Sequence, residues 1–367
     1  MQALVDRTNY QLVKDYLRSI GGARMLEESS VRRYWFYSRH LLLWAMETPL
    51  HKADRIKPHF PAYVSSLPSP RSEAELAAET QKKIIELARG FFTWVRSNRP
   101  QEYRRLSPEW IAALRPPRKR ASRNEHVFVT PDEVLQIARL KIPADDLATR
   151  RDQAAAAMLF LSGMRAGAFT TLPLEAVDIE DMRIRQWPEL GVHTKNGKKA
   201  TTFLFQIPEL VDGALEWDRF VRSELSAKAR WYVPIDQHWG LQVLSKGSPG
   251  ANRGLALDKR LRLLFARAGL PYRSAHKFRH GHAVYGLLRA GTMADYKALS
   301  ENMMHADIRT TDDTYAMLSS EEVRKRIAGL FSTTDQASQK TQPEGLGKMS
   351  NEQLSQMLVE VARRLAG

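Results

Sequence analysis

Between Arg115 and Arg123 the chain reads Arg-Pro-Pro-Arg-Lys-Arg-Ala-Ser-Arg, with five basic residues, two prolines and no acid. Successive prolines remove two backbone donors and fix two φ angles, so no helix runs through them. The like charges that follow keep the segment extended and solvated. A chain with such a break in its first third folds as more than one body, and 367 residues are enough for two or three bodies with cores of their own. Residues 115–129 read either as an interdomain linker lying along phosphates or as a plain solvated loop. A second change, at 333–348, is rich in Thr, Ser, Gln and Gly and reads as a flexible tether. The expected organisation is a helical domain at 1–114, the linker, a mixed domain at 130–332, the tether, and an amphipathic helix at 349–367.

Charge narrows the partners. Lys and Arg total 56 against 41 Asp and Glu, a formal net charge of +15. A surplus of that size favours a polyanion, because each neutralised phosphate releases condensed counterions. A generally basic protein of ribosomal type has the same balance, so charge points to nucleic acid without naming a reaction. With no cysteine, a disulfide framework and a thiolate zinc site are excluded. No apolar run approaches the roughly 18 residues of a membrane span, and the first residues lack the pattern of a secretory signal. The expectation is a cytoplasmic, nucleoid-associated protein with no membrane partner.

Periodicity fills in the elements. Ahead of the linker, Tyr10, Val13, Tyr16 and Leu17 fall at helical spacing. Ser30 is placed to cap a segment from Val31 to Trp44, Ser72–Val95 makes a third helix, and Pro108–Leu114 a short fourth. Arg32, Arg33 and Arg39 interleave with Tyr34, Trp35 and Tyr37, a mixture suited to DNA contact if the aromatics are not simply core. Beyond the linker, Thr130-Pro-Asp-Glu133 fits a capping box opening a helix to about Leu140. Arg151–Gly163 is almost wholly apolar through Ala154–Leu161 and reads as a buried helix. Short strands are expected at Val177–Ile179, Met182–Ile184, Gly191–Lys195 and Thr201–Ile207, with Asn196-Gly197 as a two-residue hairpin turn between the last two. Helices are expected again at 210–225, 257–268, 276–290, 293–299, 308–316 and 321–330. The predicted fold class is mainly α with one small antiparallel β-sheet.

Six residues stand out together: Arg165, Lys195, His276, Arg279, His305 and Tyr315. Each alone is ordinary. An arginine after an apolar helix is usually a surface cap, and a lone helical histidine is usually a satisfied polar residue. Their order and contexts carry the weight. Leu161-Ser-Gly-Met-Arg165-Ala-Gly-Ala-Phe-Thr-Thr-Leu172 resembles the first arginine box of the tyrosine recombinase, or phage integrase, family. Thr194-Lys195-Asn-Gly-Lys-Lys199 resembles its lysine-bearing β-hairpin, and His276-Lys-Phe-Arg279 resembles its His-x-x-Arg box. His305-Ala-Asp-Ile-Arg-Thr-Thr-Asp-Asp-Thr-Tyr315 resembles its last box. The resemblance spans about Thr130–Leu330, and the helical region ahead is similar to the family's core-binding domain in size and position. One departure stands at Ala168, where the family commonly has a carboxylate that orients its neighbours.

The resemblance implies a site-specific recombinase that cleaves and rejoins DNA through a 3′-phosphotyrosyl intermediate on Tyr315, with no cofactor, metal or ATP. The residue types suit that chemistry. Cleaving a phosphodiester places negative charge on a pentavalent transition state, and the forked guanidiniums of Arg165 and Arg279 can clamp its oxygens. Tyr315 is a weak nucleophile at a free pKa of ~10 and needs cations or a proton acceptor beside it. His276 suits the proton transfer, His305 a hydrogen bond to a phosphate oxygen, and Lys195 protonation of the departing 5′-hydroxyl. Lys198 and Lys199 are alternatives to Lys195 on the same turn.

His276 and His280, four apart on a helix with His282 close, also admit a zinc reading. Lys277, standing where a His-Glu-x-x-His motif needs its Glu, disfavours that reading, and His280 and His282 read better as packing residues. Expected partners are double-stranded DNA at specific sites, touched by Arg32, Arg33, Arg39, Arg118, Lys119 and Arg120, and three further protomers in a tetramer. In the tetramer the C-terminal helix, with Leu354, Met357, Leu358, Val361 and Leu365 in one stripe, is expected to dock on a neighbour, docking on its own catalytic domain being the alternative. A type IB topoisomerase and a DNA-binding protein that has kept the fold without catalysis are the rival readings.

Overall fold

A computed structural model describes residues 5–23, 28–69, 75–116, 127–247, 250 and 252–304. The chain divides into two compact units, Met1–Asn124 and Glu125–Gly367. The described part of the first is all-helical: α1 (Arg7–Ala23), α2 (Glu28–Ala45), α3 (Phe60–Ser65), α4 (Ala78–Asn98) and α5 (Pro108–Ala112). Its core takes Leu12 and Val13 from α1, Leu41 and Leu42 from α2, and Ile84, Ile85, Phe91 and Phe92 from α4. Tyr34, Trp35 and Tyr37 pack against that core half-buried, while Arg32, Arg33 and Arg39 are exposed and Arg39 lies 4.4 Å over the Phe36 ring. Tyr34, Trp35 and Tyr37 therefore belong to the core, and the arginines to an outer face that they share with the exposed Phe36. Helix α2 begins two residues ahead of Ser30, which is not its cap.

The second unit is built around α7 (Leu147–Ser162), buried on almost every side because Ala154–Leu161 offers no polar face. Helices α6 (Pro131–Ala138), α9 (Pro208–Glu224), α10 (Arg253–Arg267) and α11 (Ala275–Arg289) pack around it, and α12 (Met293–Asn302) packs on α11. The small side chains of α7 let several helices approach one axis. The capping box at Thr130 forms as expected, Thr130 Oγ1 accepting from Glu133 N and Glu133 accepting from Thr130 N. Asp152, 1% exposed, accepts hydrogen bonds from Arg151, Arg260 and the Tyr232 hydroxyl, so the buried charge is fully surrounded by donors.

A three-stranded antiparallel sheet lies between α8 (Ala166–Thr170) and α9: β1 (Val177–Asp178), β2 (Arg183–Gln186) and β3 (Ala200–Phe203), in that order, with Ile184 opposite both Val177 and Thr202. Gly191–Lys195, expected as a strand, is not one. Pro188 starts a 3-10 turn, Gly191 ends it at φ +79°, and β2 pairs directly with β3 across the loop. Asn196 and Gly197 adopt the positive φ of a two-residue turn, 61° and 63°, but the turn closes a loop and not a hairpin. A second sheet is present as well, the hairpin β4 (Ile235–His238) and β5 (Leu241–Leu244), turning at Trp239-Gly240. No helix among the described residues is long and apolar enough to cross a membrane.

Candidate active site

Helix α7 ends at Gly163, whose φ of +59° turns the chain sharply into Met164 and Arg165. Arg165 is the N-cap of the short helix α8 and is half-buried. Its carbonyl accepts from Phe169 N at 2.9 Å, while its guanidinium makes no hydrogen bond or ion pair with another described residue. Thr170 and Phe169 of α8 are buried, so the helix is fixed by its apolar side while Arg165 faces outward at its start.

Arg279 comes to the same turn from α11. Its guanidinium is buried, Nη1 donating to Gly163 O at 2.6 Å and Nη2 to Met303 O. One side chain thus joins the first arginine turn to the chain two residues ahead of His305. His305 and Tyr315 themselves lie outside the described residues, as do Arg118, Lys119 and Arg120.

His276 stands one turn before Arg279, exposed on one edge, with its Nε2 3.0 Å from His280 Nε2. Partial burial pulls its pKa below the ordinary imidazole value, and Arg279, Lys277 and Arg165 push in the same direction. Arg165 and Arg279 thus both lie close enough to His276 for their charge to act on it. The ring is therefore held in its neutral form at neutral pH, with a lone pair that can accept a hydrogen bond or a proton.

Lys195 is exposed and free of partners among the described residues, as is Lys198. Lys199 is engaged: its Nζ donates to Glu189 Oε1 at 3.1 Å and lies 4.3 Å over the Trp187 ring. The loop that holds Lys195 is moored to α8, His193 N donating to Thr171 Oγ1 at 2.8 Å and Arg230 bonding both Thr171 O and Gly191 O. Ala168 is buried within the core of this unit, so a methyl group fills the position where the resemblance leads one to expect a carboxylate.

Sequence reasoning gave His282 no role beyond packing, and Phe205 and Arg230 none at all. His282 Nδ1 bonds Phe160 O at 2.8 Å, 122 positions away in the chain, and its ring stacks on Phe205 at 4.0 Å and 12°. Nothing local to His282 signals that contact.

The Phage integrase family model matches residues 128–322, more than half of the chain. The chain belongs to this family, that of the tyrosine recombinases. A curated relative, Tyrosine recombinase XerC of Lactobacillus delbrueckii subsp. bulgaricus, is 29% identical over 186 residues, which cover 50% of this chain and 56% of the relative. The XerC of Lactobacillus leichmannii is 28% identical over the same span. This phage integrase family member thus spans little more than half the length of the curated relatives it matches. Among solved structures, a lambda integrase tetramer bound to a Holliday junction superposes with a TM-score of 0.58 at 14% identity, covering 85% of this chain and 79% of that one. A pre-cleavage complex of XerH recombinase with its difH substrate gives 0.50 at 13% identity, covering 89% and 97%. At these identities the likeness is one of fold: mainly helical with small antiparallel sheets.

Proposed function

We propose that this recombinase-family chain carries out site-specific cleavage and rejoining of duplex DNA with Tyr315 as nucleophile. The observation that carries the reading is the join between the two arginine boxes. Arg279 donates to the carbonyl of Gly163, two residues ahead of Arg165, and His276 feels both guanidiniums. In the proposed reaction the two guanidiniums hold the non-bridging oxygens of one phosphate and stabilise the charge that develops there. His276, kept neutral, accepts the phenolic proton, directly or through water, and Tyr315 attacks phosphorus. Lys195 protonates the departing 5′-hydroxyl, and His305 hydrogen-bonds a phosphate oxygen. The phosphotyrosine conserves the energy of the broken bond, so the reverse attack by a 5′-hydroxyl reseals a strand without ATP.

The free state of Lys195 and Lys198 and the engagement of Lys199 support Lys195 or Lys198 as the acid, and the mooring of the loop at His193 favours Lys195. The exposed arginines of α2 and the basic segment at 115–129 are assigned to DNA backbone contact, in a helical domain at 1–114 and a linker, with the catalytic domain at 130–332. Residues 349–367 are assigned to contact with a neighbouring protomer in a tetramer on DNA, across the tether at 333–348.

The test is Tyr315→Phe. The variant loses all SDS-resistant attachment to a nicked duplex while binding the same DNA within a few fold, because only a hydroxyl is removed. An adduct that persists in Tyr315→Phe assigns the nucleophile elsewhere.

A further inference from the structure

The C-terminus of α7 is the last rigid support ahead of Arg165, and the carbonyls of its final turn have no partners within the helix. Other groups take three of them and the carbonyl of Gly163 just beyond. Leu159 O accepts from Gly163 N at 3.0 Å, and Leu161 O from Phe205 N at 3.0 Å. Phe160 O accepts from His282 Nδ1 at 2.8 Å, and Gly163 O from Arg279 Nη1 at 2.6 Å. Two of these four bonds come from side chains of α11 three residues apart, so the end of α7 is registered against the helix that carries the second arginine.

The state of His282 follows from its partners. A carbonyl only accepts, so Nδ1 carries the proton and Nε2 is a bare acceptor, which is buried without a partner among the described residues. The ring is 0% exposed and lies flat on Phe205. Its other contact is the Gly163 turn: a Cβ at position 163 would stand 2.5 Å from His282 Cδ2. Burial, with Arg279 adding to it, pushes the imidazole down to about 3, against the opposing effect of the Phe160 bond. The neutral ring therefore adds no third cation beside the guanidiniums.

We propose that His282 is a positioning residue of the cleavage site, pinning the Gly163–Arg165 turn to α11 and so fixing Arg165 relative to Arg279. The role rests on the reading of Arg165 and Arg279 as a phosphate clamp. His282 acts through the turn and touches no substrate atom.

The experiment uses the full chain and a nicked duplex selected from a randomised pool by its binding to the protein. His282→Phe keeps the ring on Phe205 and removes the donor to Phe160 O. His282→Asn returns an amide N–H near the position of Nδ1 without the ring. Single-turnover adduct formation falls by about 10- to 100-fold in His282→Phe and by less in His282→Asn, with DNA affinity changed less than about threefold. In an Arg165→Lys background, His282→Phe costs less than about threefold more, since both changes act on one unit.

A separate arm needs no DNA: amide hydrogen exchange over residues 161–169 accelerates at least about tenfold in His282→Phe, while exchange in α9 and α10 holds. Wild-type cleavage and unchanged exchange in His282→Phe would overturn the proposal, as would full additivity with Arg165→Lys. If His282→Phe does not fold, His282→Asn with the exchange arm decides. If the wild-type chain forms no adduct, the functional reading fails on its own, and the exchange arm still shows whether His282 holds the turn.

Discussion

The turns that carry Arg165 and Lys195 are made of similar material, a backbone at positive φ beside a basic side chain, yet they are held in opposite ways. Gly163, at φ +59°, has the His282 ring against one side and the Arg279 guanidinium on its carbonyl. Around Asn196-Gly197 the surface is open. A Cβ built on Gly197 meets nothing within 4 Å, and Lys195 through Lys199 are all exposed. The difference fits the two kinds of task proposed for these side chains. Groups that stabilise charge at the phosphate gain from being fixed before DNA arrives, because no reorganisation is then needed at the moment of reaction. A proton donor to a leaving group has only to be in reach at one stage, and Lys195 is tethered through the ends of its loop, at His193 and at β3.

The largest effect separates the two arginines. Arg279→Lys and Arg165→Lys each lower single-turnover cleavage by about 10³-fold or more, since lysine loses the planar fork. Only Arg279→Lys also lowers folding stability, by about 2–4 kcal/mol, because its buried guanidinium leaves the Gly163 and Met303 carbonyls without their donors. Denaturant melts that shift equally for both variants would break the contrast between a guanidinium that also holds the fold together and one that does not.

The lysines give a smaller split on the same line. Lys195→Ala lowers cleavage by about 10²-fold, whereas Lys199→Ala changes it by only a few fold. Neither moves stability by more than about 0.5 kcal/mol, both being exposed. A 5′-phosphorothiolate substrate, whose leaving group needs no proton, restores Lys195→Ala and leaves Lys199→Ala unchanged. Restoration of Lys199→Ala instead would move the acid along the loop.

Acid pH gives the mildest test. His282 is pushed down to about 3, and His276 is lowered as well, so their folded pKa values lie below the unfolded value of about 6.5. Between those values the unfolded chain binds more protons, so this part of the stability is complete above about pH 6.5 and is lost as pH falls toward 3. Urea midpoints measured from pH 7.5 to 4.5 fall accordingly, and His282→Phe flattens the slope. A slope unchanged in His282→Phe would mean that the ring is not held neutral in the folded state.

Much of this was legible in the sequence for local reasons. The apolar run Ala154–Leu161 specifies a buried helix, Thr130-Pro-Asp-Glu133 a capped one, and Asn196-Gly197 a turn at positive φ, and each forms. What escaped depends on distant partners or atypical local chemistry. Val192–Lys195 has a plausible strand composition, but Pro188 and Gly191 turn the chain away from β2, and Thr171 takes the His193 amide. The hairpin β4–β5 turns on Trp239-Gly240, with an exposed tryptophan at φ 50° where Asn or Gly is usual, and Asp236, Gln237 and His238 are exposed along β4. Arg165, Lys195, His276 and Arg279 stand out by order and spacing, and in the structure Arg165 and Arg279 both act on the charge of His276. The link through His282 was not findable, because Phe160 and Phe205 meet it only in the fold.

In the proposed function these boxes form a strand-cleaving site served by Tyr315. Wild-type protein trapped on a nicked duplex, digested with protease and nuclease and read by mass spectrometry, tests it most directly. One nucleotide-bearing peptide is expected, with the phosphate ester on Tyr315 and the nucleotide linked through its 3′ end. A nucleotide on any other residue, or linkage through a 5′ phosphate, would contradict it.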